Sequence, residues 1–247
     1  MKKIFSRKEF NNHLNKSARM MFRDKKLKNQ ALNLITKADN YNWLHQTKWF
    51  GETIINLPQD MFILQEIIYK TRPEFIIELG VAWGGQLLFF STLMEILGGK
   101  KIIGVDIYIP SHVKKKILSK RKLSKRIKLI EGSSIEEKII NKIKKIIGNS
   151  KKVLLILDSN HTHNHVLKEL NLYQQFVRKG QYMVCADTIV EWIPKNKKRP
   201  RNWGPGNNPM TALKEFHKHN KRFIVDNEIE NKLLLSCNYK GYLKAIK

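Results

Sequence analysis

Between Phe75 and Asp187, short apolar runs alternate with stretches of helical pattern, roughly ten to fifteen residues long. The apolar runs, read as strands, are Phe75–Leu79, Lys101–Asp106, Ile127–Ile130, Val153–Asp158 and Tyr182–Asp187. Such alternation is the signature of βα units, so the chain is constrained to an α/β fold with a mostly parallel sheet flanked by helices. The clearest helix spans Glu136–Ile147, with Ile135, Ile139, Ile140, Ile143, Ile146 and Ile147 marking one face and Gly148 as its stop. A second is expected from about Asn164 to Lys179, and a third from Asp60 to the residues before Pro73.

The flanks read differently. Residues 1–60 are polar with scattered aromatics and no sustained period, and are read as an N-terminal helical arm or cap on a domain of residues 61–247. After Asp187 comes a long loop, Thr188–Asn208, rich in Pro and Gly and carrying Trp192 and Trp203. Asn208-Pro209 then opens a helix as N-cap and first helical residue. Arg222–Asp226 and Lys232–Cys237 are read as the last strands.

With 247 residues, 42% hydrophobic and 28% charged, the chain can bury a substantial core, which excludes disorder, collagen-like repeats and a disulfide scaffold. Cys185 and Cys237 lie in apolar runs and read as reduced, buried thiols of a cytoplasmic protein. No apolar stretch is long enough to cross a membrane, and no apolar segment follows the lysines of Met1–Glu9, so neither a span nor a signal peptide is expected. The net charge of +26 points either to a polyanion or to a Lys-, Ile- and Asn-rich composition of the kind A/T-rich codons produce. The stretch from His112 to Lys128, basic and without one acid, is either a solvated face or an anion-contacting segment.

In open α/β sheets ligands bind beyond the carboxyl ends of the strands, and four strand ends here carry polar or glycine-rich sequence. The first is Glu78-Leu79-Gly80-Val81-Ala82-Trp83-Gly84-Gly85-Gln86, whose spacing matches neither a P-loop nor the dinucleotide fingerprint. Its glycines suit close backbone approach to a ligand, or simply a tight turn, and Glu78 suits a cationic ligand. The second is Asp106, placed to accept ribose hydroxyls. The third is Ser133-Ser134, small polar residues that fit an adenine edge or cap the next helix. The fourth is Asp158-Ser159-Asn160-His161-Thr162-His163-Asn164-His165, with imidazoles that act as bases near neutral pH, bind metals or merely start a helix. Asp187 ends the adjacent strand, so Asp158 and Asp187 are expected to approach one another and to suit Mg²⁺.

The motifs IIELGVAWGG, GVDI, EGSS, LDSNHTHNHVLKEL, ADT, WGPG and GYL, in that order, resemble the cephalosporin hydroxylase family, which includes rhamnosyl O-methyltransferases. The resemblance runs from about residue 40 to the C-terminus and implies a Rossmann-like class I S-adenosylmethionine-dependent methyltransferase, with a seven-stranded sheet ending in an antiparallel hairpin. It places Glu78, Gly80, Gly84 and Gly85 around the methionine part, Asp106 at the ribose, and Ser133 and Ser134 at the adenine. Two departures concern the metal: Asn160 stands where the family has an acid, and so does Ala186. Asp158, Asn160 and Asp187 then remain as candidate Mg²⁺ ligands, of weakened affinity.

The activity implied is O-methylation of a hydroxyl on a sugar, glycolipid or other natural product, with His161, His163 and Asp158 positioning that hydroxyl and one imidazole as base. Expected partners are a small-molecule or glycan acceptor and, in a homo-oligomer, further copies of the chain. A competing reading is a nucleic-acid-binding protein or RNA methyltransferase using residues 112–128, which predicts binding that weakens steeply with salt. A dinucleotide dehydrogenase is disfavoured by the glycine spacing.

Overall fold

The computed structural model describes residues 6–195 and 200–247. Its helices are α1 (Arg7–Arg23), α2 (Lys25–Asp39), α3 (Pro58–Thr71), α4 (Gly85–Leu97), α5 (Ser111–Ser119), α6 (Arg121–Ser124), α7 (Glu137–Ile147), α8 (His163–Tyr173), α9 (Pro209–His219) and α10 (Asn227–Glu230). The strands are β1 (Lys48–Trp49), β2 (Glu52–Thr53), β3 (Phe75–Leu79), β4 (Lys101–Asp106), β5 (Ile127–Glu131), β6 (Val153–Leu157), β7 (Tyr182–Cys185), β8 (Phe223–Val225) and β9 (Tyr242–Ala245).

Strands β3 to β9 form one seven-stranded sheet in the order β5-β4-β3-β6-β7-β9-β8. The first five are parallel, and β9 runs antiparallel between β7 and β8. Chain order reverses at β3, which pairs with β4 on one side and β6 on the other, and that switch point opens the crevice where ligands bind. The antiparallel insertion of β9 separates this sheet from the all-parallel order of a dinucleotide-binding fold.

Because side chains alternate along a strand, one sequence run supplies two cores. Ile77, Leu79, Ile103, Val105, Leu155 and Leu157 face α7, α8 and α9. Ile76, Ile102, Leu154 and Ile156 face α3, α4 and α5. Helix α7 shows why the period was legible, since Ile139, Ile140, Ile143 and Ile147 are buried and Gly148, at φ +53°, ends it. Asn208 caps α9 as its sequence announces, in a reciprocal box with Thr211 and with Pro209 as the first helical residue.

Three sequence boundaries shift. Lys232–Cys237 is not a strand, and the last strand is Tyr242–Ala245 instead. The reason is that the first turn of α3 takes the polar backbone groups a ladder would need: Gln59 bonds Lys232 O and Leu235 N–H, while the Asp60 carboxylate accepts from Ser236 Oγ (2.6 Å) and Cys237 N–H (2.8 Å). The helix expected to Lys179 ends at Tyr173, followed by a 3₁₀ turn over Gln174–Phe176. The strand expected to Asp187 ends at Cys185, and Asp187 turns into the left-handed region at φ +53°.

The N-terminal region holds α1 and α2 and then the β1–β2 hairpin. Ile35 of α2 is buried against Leu57, Ile189 and Cys237. The basic stretch 112–128 folds as α5, α6 and the start of β5, with Val113, Ile117 and Ile127 buried beneath a lysine-rich exposed face. Both cysteines are buried free thiols, and no described helix is long and apolar enough to cross a membrane. The first five residues, where the absence of a leader was read, and residues 196–199 of the long loop lie outside the described residues.

Candidate active site

The floor of the site is the turn after β3. Gly80 has φ +101°, and a Cβ there would stand 1.9 Å from the carbonyl oxygen of Asp158 on the neighbouring strand end. Only glycine allows the two backbones to approach this closely. Asp106, ending β4, fastens the same turn, its Oδ2 accepting from Val81 N–H (2.8 Å) and Ala82 N–H (3.3 Å). Gly84 and Gly85 serve packing around it: the space beside Gly84 holds Ile117, and that beside Gly85 holds the Thr53 carbonyl of β2.

Glu78 lies under this turn, 2% exposed. Gln86 Nε2 donates to its Oε1 (2.6 Å), while its Oε2 is buried with no hydrogen-bond partner. Burial pushes its carboxyl up to about 8, the Gln86 bond pulls the other way, and Asp106 raises it further. The group is therefore a buried acid that a nearby positive charge would ionise.

A cavity of about 260 Å³ opens between the ends of β4 and β6, lined by Asp106, Ile107, Ser133, Ser134, Ser159, Asn160 and His165. Its wall is held by Glu169, which is fully buried. Glu169 Oε1 accepts from Ser134 Oγ (2.5 Å) and Ser159 Oγ (2.6 Å) and lies 3.3 Å from His165 Nε2. Tyr173 Oη donates to the Ser134 carbonyl (2.7 Å), locking the loop after β5 onto α8. Sequence reasoning missed Glu169, although its i,i+4 spacing from His165 on a helix was a usable signal.

A second cavity, about 530 Å³, lies on the far side of the β6–α8 turn. His161 and Asp187 form its polar end. Ligand-type atoms of Asp158, His161 and Asp187 all lie within 4.8 Å of one another, with His161 Nε2 3.5 Å from Asp187 Oδ2. The Trp203 ring meets the His161 ring edge-on at 5.1 Å. Burial, then the charges of Asp187, Glu78 and Glu169, hold the Asp158 carboxyl well above the ordinary aspartate range. The remaining walls come from α2, the Trp43–His45 turn and the loop after β7, including Ile35, Leu44, Ile189 and Ile193. The walls from α2 and the Trp43–His45 turn were not anticipated from the sequence as lining.

The three histidines of the fourth motif thus face three ways. His161 enters the larger cavity and His165 the smaller. His163 turns to α9, its Nδ1 2.9 Å from Thr211 Oγ1 and its N–H donating to Asn207 Oδ1. Asn160 spends its amide oxygen on Thr162, accepting from both the backbone N–H (2.9 Å) and the hydroxyl (2.7 Å). Both lone pairs are then engaged, and His161 is the third donor beside the two aspartates. Trp192 packs edge-on against Tyr239, while Trp203 is the loop tryptophan that reaches the cavity.

Residues 41–246 match the family described as Rhamnosyl O-methyltransferase/CmcI. The rhamnosyl O-methyltransferase of Mycobacterium tuberculosis (strain ATCC 25618 / H37Rv) is 28% identical over 201 residues, covering 80% of this chain and 78% of that protein. That of Mycobacterium leprae (strain TN) is 33% identical over 157 residues, covering 63% and 66%. Among solved structures, CmcI in its apo form superposes with a TM-score of 0.55 at 19% identity, covering 82% of this chain and 77% of that one. An O-methyltransferase from Bacillus cereus in complex with SAH gives 0.54 at 12% identity, covering 91% and 92%. These structures share the fold. Taken with the match over residues 41–246, they lead to one conclusion: the chain belongs to the rhamnosyl O-methyltransferase/CmcI family.

Proposed function

We propose that this chain is an S-adenosylmethionine-dependent O-methyltransferase acting on a hydroxyl of a sugar or sugar-bearing natural product. The observation that carries this reading is the position of the turn Asp158–His161. Ser159 and Asn160 line the smaller cavity and His161 lines the larger, so one short turn separates a nucleoside-sized space from an acceptor-sized one. Family membership and two relatives named rhamnosyl O-methyltransferase support the reaction and the sugar class.

In this reading Asp106 accepts the ribose hydroxyls, Ser133 and Ser134 meet the adenine, and Glu78 below the Gly80 turn answers the positive charge of the methionine end. Across the partition, the acceptor hydroxyl faces His161. Asp187, 3.5 Å from Nε2, orients the imidazole and stabilises it once it has taken the hydroxyl proton. Alignment of the hydroxyl oxygen with the methyl carbon supplies most of the catalysis. His163, bonded into α9, orients the helix start rather than the acceptor.

The donor set also fits a divalent cation. No hydrogen-bond donor reaches the Asp158 carboxylate among the described residues, and a second carboxylate, Asp187, stands beside it. Asp158 and Asp187 would hold an oxygen-preferring ion such as Mg²⁺ and leave His161 for the proton. Such an ion, when bound, polarises the acceptor hydroxyl. With Asn160 engaged by Thr162 and Ala186 offering no ligand, its affinity is weak. The buried free thiols Cys185 and Cys237 are compatible with the reducing cytoplasm.

Calorimetric titration with S-adenosylmethionine, with and without Mg²⁺, tests the reading. Micromolar binding followed by methyl transfer to an α-L-rhamnoside is expected. Failure to bind the nucleoside would overturn it.

A further inference from the structure

Helix α1 is not held by the core: of its 17 residues none is buried. Local caps set its ends instead. Ser6 Oγ accepts from Glu9 N–H (3.2 Å), and Asp24 closes the helix with its own N–H on the Met21 carbonyl while its side chain caps α2 at Leu27 N–H (2.9 Å). Most helical stability in proteins comes from covering an apolar face, and α1 owns such a face uncovered. At about 100° per residue, Phe10, Leu14, Ala18, Met21 and Phe22 fall within an arc of about 120°, and Met20 alone of the apolar residues lies outside it. Lys28 of α2 sits over the Phe22 ring at 3.7 Å, whereas Phe10 and Leu14 are 45% and 47% exposed. Lys8, Lys16, Arg19 and Arg23 take the opposite face, and the stem of Arg7 is long enough to carry its charge out of an apolar layer. Glu9 is the only acid of α1, and among the described residues no carboxylate pairs with any of these cations.

We propose that α1 is an in-plane anchor for an anionic lipid surface, with Phe10 and Leu14 entering the acyl boundary and the surrounding Lys and Arg side chains held among the headgroup phosphates. Charge complementarity selects this occupant. A second copy of α1 would cover the apolar face but press one cationic helix against another. A nucleic acid would answer the charge and leave Phe10 and Leu14 without a partner. An anionic bilayer meets both faces at once. Helix α1 would lie on the membrane, since no described helix is long and apolar enough to cross one. It precedes residue 41, where the match to the family begins, and is tied to the body through α2, whose Ala31 and Ile35 are buried. Such an anchor places the enzyme at a membrane whatever acceptor it methylates.

The test is co-sedimentation of the full chain with phosphatidylcholine vesicles that lack or contain about 30% phosphatidylglycerol. Partitioning onto the anionic vesicles is expected to be at least about tenfold stronger and to weaken as salt rises. Phe10→Ser combined with Leu14→Ser keeps every charge and removes the apolar anchor. It is expected to lower that partitioning at least about tenfold, with the melting temperature unchanged because both side chains are exposed. Lys114→Gln, Lys115→Gln and Lys116→Gln together neutralise exposed cations of α5 and are expected to lower it less than about threefold. Equal binding to the two vesicle types, binding to neither, or binding that survives the double serine variant overturns the proposal. A larger loss in the α5 variant than in the serine variant assigns the surface to the basic stretch 112–128 instead. Self-association of the parent that the serine variant abolishes, read by sedimentation velocity in the absence of any vesicle binding, assigns the face to a second copy and likewise overturns it.

Discussion

Replacing Glu78 by Gln separates the electrostatic role of this buried acid from its packing. With the carboxyl pushed up to about 8, roughly nine in ten molecules carry the proton at pH 7. If the positive methionine end of the cofactor ionises that carboxyl, binding at pH 7 releases up to roughly 0.9 proton. Calorimetry at pH 7 in buffers of different ionisation enthalpy reads this number from the slope of apparent enthalpy. In Glu78→Gln the release should fall by more than half, and affinity should weaken about tenfold.

The same shift has a sign for stability. A carboxyl raised in the folded state contributes stability that is complete below its unfolded value of 4.5 and is lost as pH rises through about 8. At about 1.4 kcal/mol per unit, the loss is on the order of 5 kcal/mol over that window. Urea unfolding of the free protein should therefore show stability declining from pH 5 to 8, and the decline should flatten in Glu78→Gln. A variant that releases as many protons as the parent and keeps its pH profile would refute the reasoning.

Asp106→Ala removes both the ribose acceptor and the anchor of the Val81 and Ala82 amides, and should weaken S-adenosylmethionine binding at least tenfold by calorimetry; unchanged affinity would sink the ribose assignment. His161→Ala should lower kcat about 10²–10⁴-fold with S-adenosylhomocysteine affinity intact, as expected for loss of a base; a parallel loss of cofactor binding would move His161 out of that role. Gly80→Ala places a methyl 1.9 Å from the Asp158 carbonyl oxygen and should lower Tm by several degrees or prevent folding; a melting curve matching the parent would mean that the close approach is not maintained in solution.

How much of this was legible in the sequence depends on how locally each feature is determined. Strands β3, β4, β6 and β7 are buried on both faces over most of their length, so each reads as a nearly continuous apolar run with a polar or glycine residue marking where it meets the crevice, whereas the edge strand β5 exposes Lys128. Glu78, Gly80 and Asp106 are therefore at addresses the chain announces. The histidine motif shows where such reading stops. His163 and His165 are two positions apart on α8, about 200° around the helix, so one faces α9 and the other the nucleoside cavity. That divergence follows from the helix start, which the run of polar residues left open. The segment 232–237 was misread for the opposite reason. Its apolar pattern suits a strand, but the groups that claim its backbone, Gln59 and Asp60, lie more than 170 residues away in sequence. The larger cavity is the extreme case, drawing on residues 35–55, the turn after β6 and the loop after β7. No periodicity connects those segments. The strand ends are thus written locally, in residues within a turn of each strand, whereas the walls of the larger cavity are written in contacts that only the folded chain creates.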